Sequence, residues 1–467
     1  MSSYPTSATL SDDIALLHRP TFLRQYEAFW EDPTQVSVMW LGILFSTFAI
    51  ATRFHSNMEE YHDDLQEDPD MSKTTAALAR MAFYREKVVQ CLILGEYTKC
   101  PPYTLEVFVS YFIMEYLRSR DTQLGIWLLV GMLVRIALRM GYHREPSKFP
   151  NISPFRAEMR RRIWSMVVQL DLMSSMQVGL PRMIQPSMYD VMEPRNLMDD
   201  DLDENMTELP PSRPESESTV MLYTVVRNRG MQIIARIVDL SNTGQSIAYR
   251  EVLELDTALR DNYNGVPDSL KGMSSSAFNA ESDVAMRKMY LGVTFLKASL
   301  MLHRPFMLLG RTDSRYEYSR MACLDAALEI LAFQTLLDKE SRSATINRSS
   351  RWRLWTSSWR QSSLVNHDFL LATTVLLLDL DNDITCPMSI IPTNVPRVRF
   401  KSGQPTRDEI VSALRGTYFL WADACEKSQE AVRVAAAIKL ILGKVDANDH
   451  QPEGELLLAF YIDAVVD

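Results

Sequence analysis

Residues 157–171 read AEMRRRIWSMVVQLD, and the adjacent Arg160, Arg161 and Arg162 are the side chains best suited to gripping an anion. A guanidinium presents a planar fork of donors that matches phosphate or carboxylate. From Arg135 to Arg162 there are seven arginines and one lysine against Glu145 and Glu158, a local surplus that a polyanion patch would need. The chain as a whole opposes that use. Its formal net charge is -10 over 467 residues, and non-specific phosphate binding needs a basic surface that displaces counterions. Met159, Ile163, Met166, Val167 and Leu170 recur at helical spacing and mark one apolar stripe, with the arginines mostly pointing elsewhere. Glu158 stands four residues before Arg162, the favoured order for a surface pair. The cluster therefore reads as an internal electrostatic contact or a solvated face, with Arg161 on the side away from the core.

Other groups suggest chemistry and then fail a test of spacing. DDDLD, Asp199 to Asp203, has the DDxxD pattern that holds magnesium against a diphosphate, but it lies between Pro194 and Pro210 in an apparent loop. Its candidate partner, NDITCPMSI from Asn382, has Cys386 and Ile390 where oxygen ligands belong. DLDND from Asp379 lacks the glycine and the twelfth-position glutamate of a calcium loop. Leu-His-Arg-Pro occurs at 17–20 and 302–305, where Pro20 and Pro305 make His18 and His303 look like punctuation around helices. His55 and His62 have no third ligand nearby, and no HExxH, GxSxG, phosphate-binding loop or dinucleotide fingerprint appears. No catalytic, cofactor-binding, metal or DNA-binding residue is assigned in this chain.

Cys91, Cys100, Cys323, Cys386 and Cys425 are odd in number, form no CxxC pair and suit a reducing compartment. The sequons at Asn151, Asn205 and Asn347 then read as chance, and the apolar run from Val36 to Ala51 reads as a buried helix too short to span a bilayer.

The elements that must position these residues are helical almost throughout, since glycines number only 16 and alternating runs are few. The expected fold is all-α, a large multi-helix domain with uneven loops. One helix runs from Pro154 to Val178 between Ser153 and Gly179, and another is capped by Asp121 and stopped by Gly141. The expected organisation is a flexible terminus (1–13), a first helical half (14–195), an acidic, proline-rich linker (196–220), a second half (221–340), a basic Ser/Trp loop (341–363) and C-terminal helices (364–467).

Six stretches in order carry a resemblance: LHRPTFLRQYEAFW, VMWLGILFSTFAIA, GIWLLVGMLVRIALRMGYHREPS, FPNISPFRAEMRRRIWSMVVQLDLMSSMQVGLPRMI, LMLHRPFMLL and FLLATTVLLLDLD. Together, from about residue 14 to 385, they resemble the regulatory middle homology region of fungal-specific transcription factors. The resemblance implies an all-helical regulatory domain, nuclear localisation and control of RNA polymerase II genes, including those of secondary-metabolite clusters. It implies as partners the transcription machinery or a DNA-binding protein. A small-molecule effector and a homodimer stay open, and no membrane is expected. In the family a zinc cluster of six cysteines reads the DNA upstream of this region. Here the first cysteine is Cys91, so neither zinc nor another cofactor, nor direct DNA binding, is expected of this chain. The alternatives are a magnesium-dependent terpenoid-type enzyme and a non-catalytic helical scaffold.

Overall fold

A computed structural model describes residues 16–63, 71–118, 121–122, 124–244, 246–272, 282–342, 363–385 and 405–448. In chain order the helices are α1 (Arg19–Glu31), α2 (Val38–Asp63), α3 (Met71–Leu94), α4 (Thr104–Tyr116), α5 (Leu124–Arg139), α6 (Pro154–Val178) and α7 (Val220–Ser241). They continue with α8 (Tyr249–Asn264), α9 (Ser282–Met307), α10 (Glu317–Arg342), α11 (Ser363–Thr385), α12 (Arg407–Ala424) and α13 (Gln429–Asn448). No strand occurs among the described residues, so the fold is all-α as the periodicity implies. The expected flexible terminus and most of the basic Ser/Trp loop, with Cys386, lie outside the described residues.

Local chemistry sets the helix ends. The Ser153 hydroxyl accepts the Arg156 N–H at 3.3 Å, Pro154 takes the first helical position, and Gly179 closes α6 at φ +67°. In α2 the buried Ser46 and Thr47 return their hydroxyls to the Gly42 and Ile43 carbonyls at 2.8 and 2.9 Å, which leaves an apolar helix with no unpaired hydroxyl at those positions. Asp121, which the sequence offers as a cap for α5, reaches a helix far along the chain. Its carboxylate accepts from the Ser428 hydroxyl and from the Gln429 N–H at 3.0 Å, at the start of α13.

Three hydrophobic cores follow one another along the chain. The first joins α2 to α6 through Ile43, Phe108, Val134 and Ile163. The second joins α6 to α9 through Leu172, Ile234, Leu255 and Phe295, and the third joins α9 to α13 through Leu300, Ile330, Phe369 and Ile438. Two helices are shared. Along α6, Ile163, Trp164 and Val167 enter the first core while Leu172 and Met176 enter the second. Along α9, Leu291, Phe295 and Leu302 face the second core and Met289, Val293 and Leu300 the third. A Cβ at Gly230 on α7 would stand 2.8 Å from the Phe295 ring, so glycine permits this close approach of α7 and α9.

Candidate functional site

α6 is buried over most of its surface, and this decides the fate of its charges. Arg161 is 4% exposed, Arg162 2% and Glu158 0%. The expectation that Arg161 faces solvent is therefore corrected. A helix shared by two cores and covered by a following loop keeps little wet surface, and its buried charges must find partners inside.

The charged side chains do so as a network. Arg161 pairs with Glu145, and its Nη1 lies 3.3 Å from Glu158 Oε2. Glu145 also accepts from the Met192 N–H at 3.0 Å and the Ser147 hydroxyl at 2.7 Å. Burial works against ionising Glu145, but Arg161, the Met192 N–H and Ser147 outweigh it and hold the carboxyl down at about 2. Glu158 accepts the Arg195 N–H at 2.9 Å, and Arg162 donates to Asp199 Oδ1 at 2.7 Å. The Glu158–Arg162 pair expected at the surface is thus buried, with Nε and Oε1 3.9 Å apart.

These bonds also dock the long loop between α6 and α7, so the reading of its acidic run as a solvated linker is corrected at specific residues. Asp199 binds Arg162 and accepts the Arg19 N–H at 2.9 Å, while Asp201 makes a two-pronged contact with Arg213, each arm 2.7 Å. Leu197 and Leu202 are buried against Phe155. Asp171, on α6, accepts the Ile184 N–H at 2.8 Å and the Met183 N–H at 3.0 Å. The loop is tied along its length by side chains of the helix that precedes it.

Beside this network lies a cavity of about 560 Å³ between α1, α2, α4 and α6. Phe22, Trp40, Ile43, Phe155, Met159 and Ile163 supply apolar wall. Trp40 Nε1 donates to Gln25 at 2.8 Å, and Gln25 donates to the Tyr103 hydroxyl at 2.8 Å, so that edge is internally paired. Three further polar side chains, Glu106, Tyr142 and Arg160, converge on one side of the space. Glu106, in the first turn of α4, has its carboxyl raised to about 7 by burial, with its own backbone N–H and Arg160 opposing. The Tyr142 phenol is buried and its pKa is likewise raised by desolvation. Arg160, the first arginine of the run, lies over the Tyr142 ring at 4.0 Å and donates Nη2 to the Met140 carbonyl at 2.7 Å. Its Nε is buried with no hydrogen-bond partner.

The remaining sequence candidates are structural ties. His18 bonds Thr21 at 2.8 Å and the Asp199 carbonyl at 2.9 Å, fastening the start of α1 to the docked loop. His303 Nδ1 lies 2.9 Å from Ser319 Oγ, and Nε2 is 3.3 Å from Asp256. The order acid, imidazole, hydroxyl imitates a hydrolase triad. Yet Ser319 and His303 are both 0% exposed and Ser319 is also bonded to Tyr249 at 3.1 Å, so no substrate reaches the hydroxyl. The DLDND run serves as anchors: Asp379 takes Arg320 at 2.7 Å and Arg311 at 3.2 Å, and Asp381 takes Lys444 at 2.8 Å. Among the described residues no group of three or more His, Cys, Asp or Glu is placed to hold a metal, and no helix is long and apolar enough to cross a membrane.

Sequence reasoning missed Glu106, Tyr142 and the Glu145–Arg161 partnership. Glu106 carried a faint signal, a lone acid in the apolar run TLEVFVSYFIM. The 16-residue separation of Glu145 and Arg161 carried none.

The architecture has a counterpart among known families. The model of the fungal-specific transcription factor domain matches residues 9–265, which ends at the close of α8 and takes in the cavity and the arginine network. The chain belongs to this family. It is 41% identical over 441 residues to the Zn(2)-C6 fungal-type transcription factor pigI of Monascus ruber, covering 94% of this chain and 51% of that protein. To the Zn(2)-C6 fungal-type transcription factor mpsB of Macrophomina phaseolina it is 38% identical over 448 residues, 95% of this chain and 57% of the relative. The equisetin cluster transcription factor eqxF of Fusarium heterosporum is 36% identical over 448 residues, 96% of this chain and 61% of the relative. The fungal transcription factor domain thus accounts for α1 to α8, and likeness to the relatives covers nearly all of the chain. The chain spans about half the length of the first two relatives. No solved structure matches it.

Proposed function

We propose that this chain is the helical regulatory part of a nuclear transcriptional regulator that controls RNA polymerase II genes of a secondary-metabolite cluster. The observation that carries the reading is the likeness over about nine-tenths of the chain to proteins named as transcription factors, one of them for the equisetin cluster. The buried network agrees with it. Arg161 and Arg162, two of the three adjacent arginines a phosphate patch would use, are spent on Glu145, Glu158 and Asp199, and the net charge of -10 repels DNA. Sequence-specific DNA contact is accordingly assigned to a partner, or to a Zn(2)-C6 module of the kind the relatives' names denote. The terpenoid-enzyme alternative loses its support for the same reason. Asp199 and Asp201 are already engaged by Arg162 and Arg213 on a loop, rather than aimed as a pair into an apolar cavity.

Deleting the gene and measuring transcripts under conditions where the fungus makes secondary metabolites tests the reading. A coordinated change in one co-localised set of biosynthetic genes is expected. An unchanged transcriptome, with the protein shown to be present in the parent, would overturn it.

A further inference from the structure

The cavity between α1, α2, α4 and α6 combines features that an ordinary packing void lacks. At about 560 Å³ it falls within the range of roughly 300–1,000 Å³ typical of sites for drug-sized molecules, with apolar walls and a few converging polar groups. Arg160 is only partly engaged: Nη2 is bonded to the Met140 carbonyl, while Nε is buried and unpaired. No ion pair forms at Arg160 or at Arg156 on the rim among the described residues, whereas the lining acid Glu204 is already held by Arg24.

A second observation concerns the backbone. Among the described residues the non-glycine positions with positive φ are Glu96 at 52°, Cys100 at 58° and Tyr103 at 69°. All three fall in the short connection leading into α4, and Cys100 and Tyr103 line the cavity. Such a residue is strained and persists where its surroundings over-determine it, a pattern concentrated at ligand clamps. Here the strained turn sets the position of Glu106, three residues further on.

We infer that this cavity binds an apolar organic molecule carrying an acidic oxygen, its anion held by Arg160 with Tyr142 and Glu106 beside it. An anion pairs with a guanidinium that has no ion pair among the described residues and leaves it stacked on Tyr142. A cationic ligand would meet the like charges of Arg160 and Arg156. The groups facing Glu106 are Arg160 and Arg156 from α6, Tyr142 beyond α5, Tyr103 from the strained turn, His18 at the start of α1 and Glu204 from the docked loop. Because Glu106 titrates at about 7, an anionic ligand binds best below that pH, where the acid donates a hydrogen bond rather than repelling. The inference builds on the regulatory reading by naming the chemistry of an effector, but binding is measurable without it.

The test is calorimetric titration of the purified 467-residue chain with three probes on one ring system: 2-naphthylacetate, 2-naphthylethylamine and 2-naphthylethanol. The acid should bind at least tenfold more tightly than the amine, and its affinity should fall as pH rises from 6 to 8. Glu106→Gln should bind the acid with no such fall. Arg160→Met should lose at least tenfold for the acid and little for the alcohol, while Arg160→Lys should keep most of the acid's affinity. The lysine variant keeps the question answerable if the methionine variant fails to fold. Equal affinity for acid and amine, no binding of any probe at millimolar concentration, or an unchanged pH profile in Glu106→Gln would overturn the inference. If no probe binds while gene deletion still changes transcripts, the pocket assignment falls and the regulatory reading stands.

Discussion

Replacing Arg161 by methionine removes the centre of the buried charge network while roughly preserving its volume. Two carboxylates, Glu145 and Glu158, are left in the interior, and only backbone N–H groups, Ser147 and the more distant Arg162 remain to hold them. Breaking a buried pair in this way costs about 3–5 kcal/mol. The pKa of Glu145 gives an independent figure. Holding its carboxyl at about 2 instead of 4.5 corresponds to roughly 3 kcal/mol. In a region of this size the melting temperature should fall by roughly 5–10 °C. The sign with pH follows from the depressed carboxyl. Its stabilisation is complete above about 4.5 and is lost as pH falls toward 2, because protonation then favours the unfolded chain. Urea and thermal melts of wild type and Arg161→Met should therefore differ by several kcal/mol at pH 7 and converge on acidification. Arg236→Met, at an exposed position of α7, is the control and should change stability by roughly 0.5 kcal/mol or less. If Arg161→Met melts like that control at pH 7, the buried network does not hold α6 to its loop and the reasoning fails.

Asp199→Asn should weaken the grip on Arg162 and the start of α1, costing about 1–3 kcal/mol and speeding proteolytic cleavage within residues 196–220; an unchanged cleavage rate would show the loop held by other means. Ile163→Asp places an unpaired charge at a core position 2% exposed, and the first core should unfold or aggregate, which loss of the cooperative melt would report. Asp121→Ala removes the acceptor of the Gln429 N–H at the start of α13 and should cost about 1 kcal/mol, visible as faster amide exchange in the first turn of that helix.

Much of the fold was legible because helix ends and apolar spacing are local. The Pro154–Val178 boundaries follow from Ser153, Pro154 and Gly179 alone, and the structure reproduces them. The error at Arg161 came from treating α6 as a helix with one buried stripe. Of that stripe Ile163 and Val167 are buried, while Met159, Met166 and Leu170 are only partly so. A helix shared by two cores buries polar residues as well, and its partners at Glu145, Asp199 and the 192–195 backbone come from segments whose approach no local pattern encodes. The cavity was illegible for a related reason. Glu106, Tyr142 and Arg160 sit on three separate stretches and converge only through packing.

The central claim is that these helices act on transcription, and tethering tests it most directly. Residues 1–467 joined to a heterologous DNA-binding module, placed upstream of a reporter promoter in a fungal host, should change reporter output severalfold in one direction. Ile163→Asp should abolish the change. A reporter that stays at the level of the DNA-binding module alone, while the wild-type fusion accumulates in the nucleus and the purified chain melts cooperatively, would contradict the account.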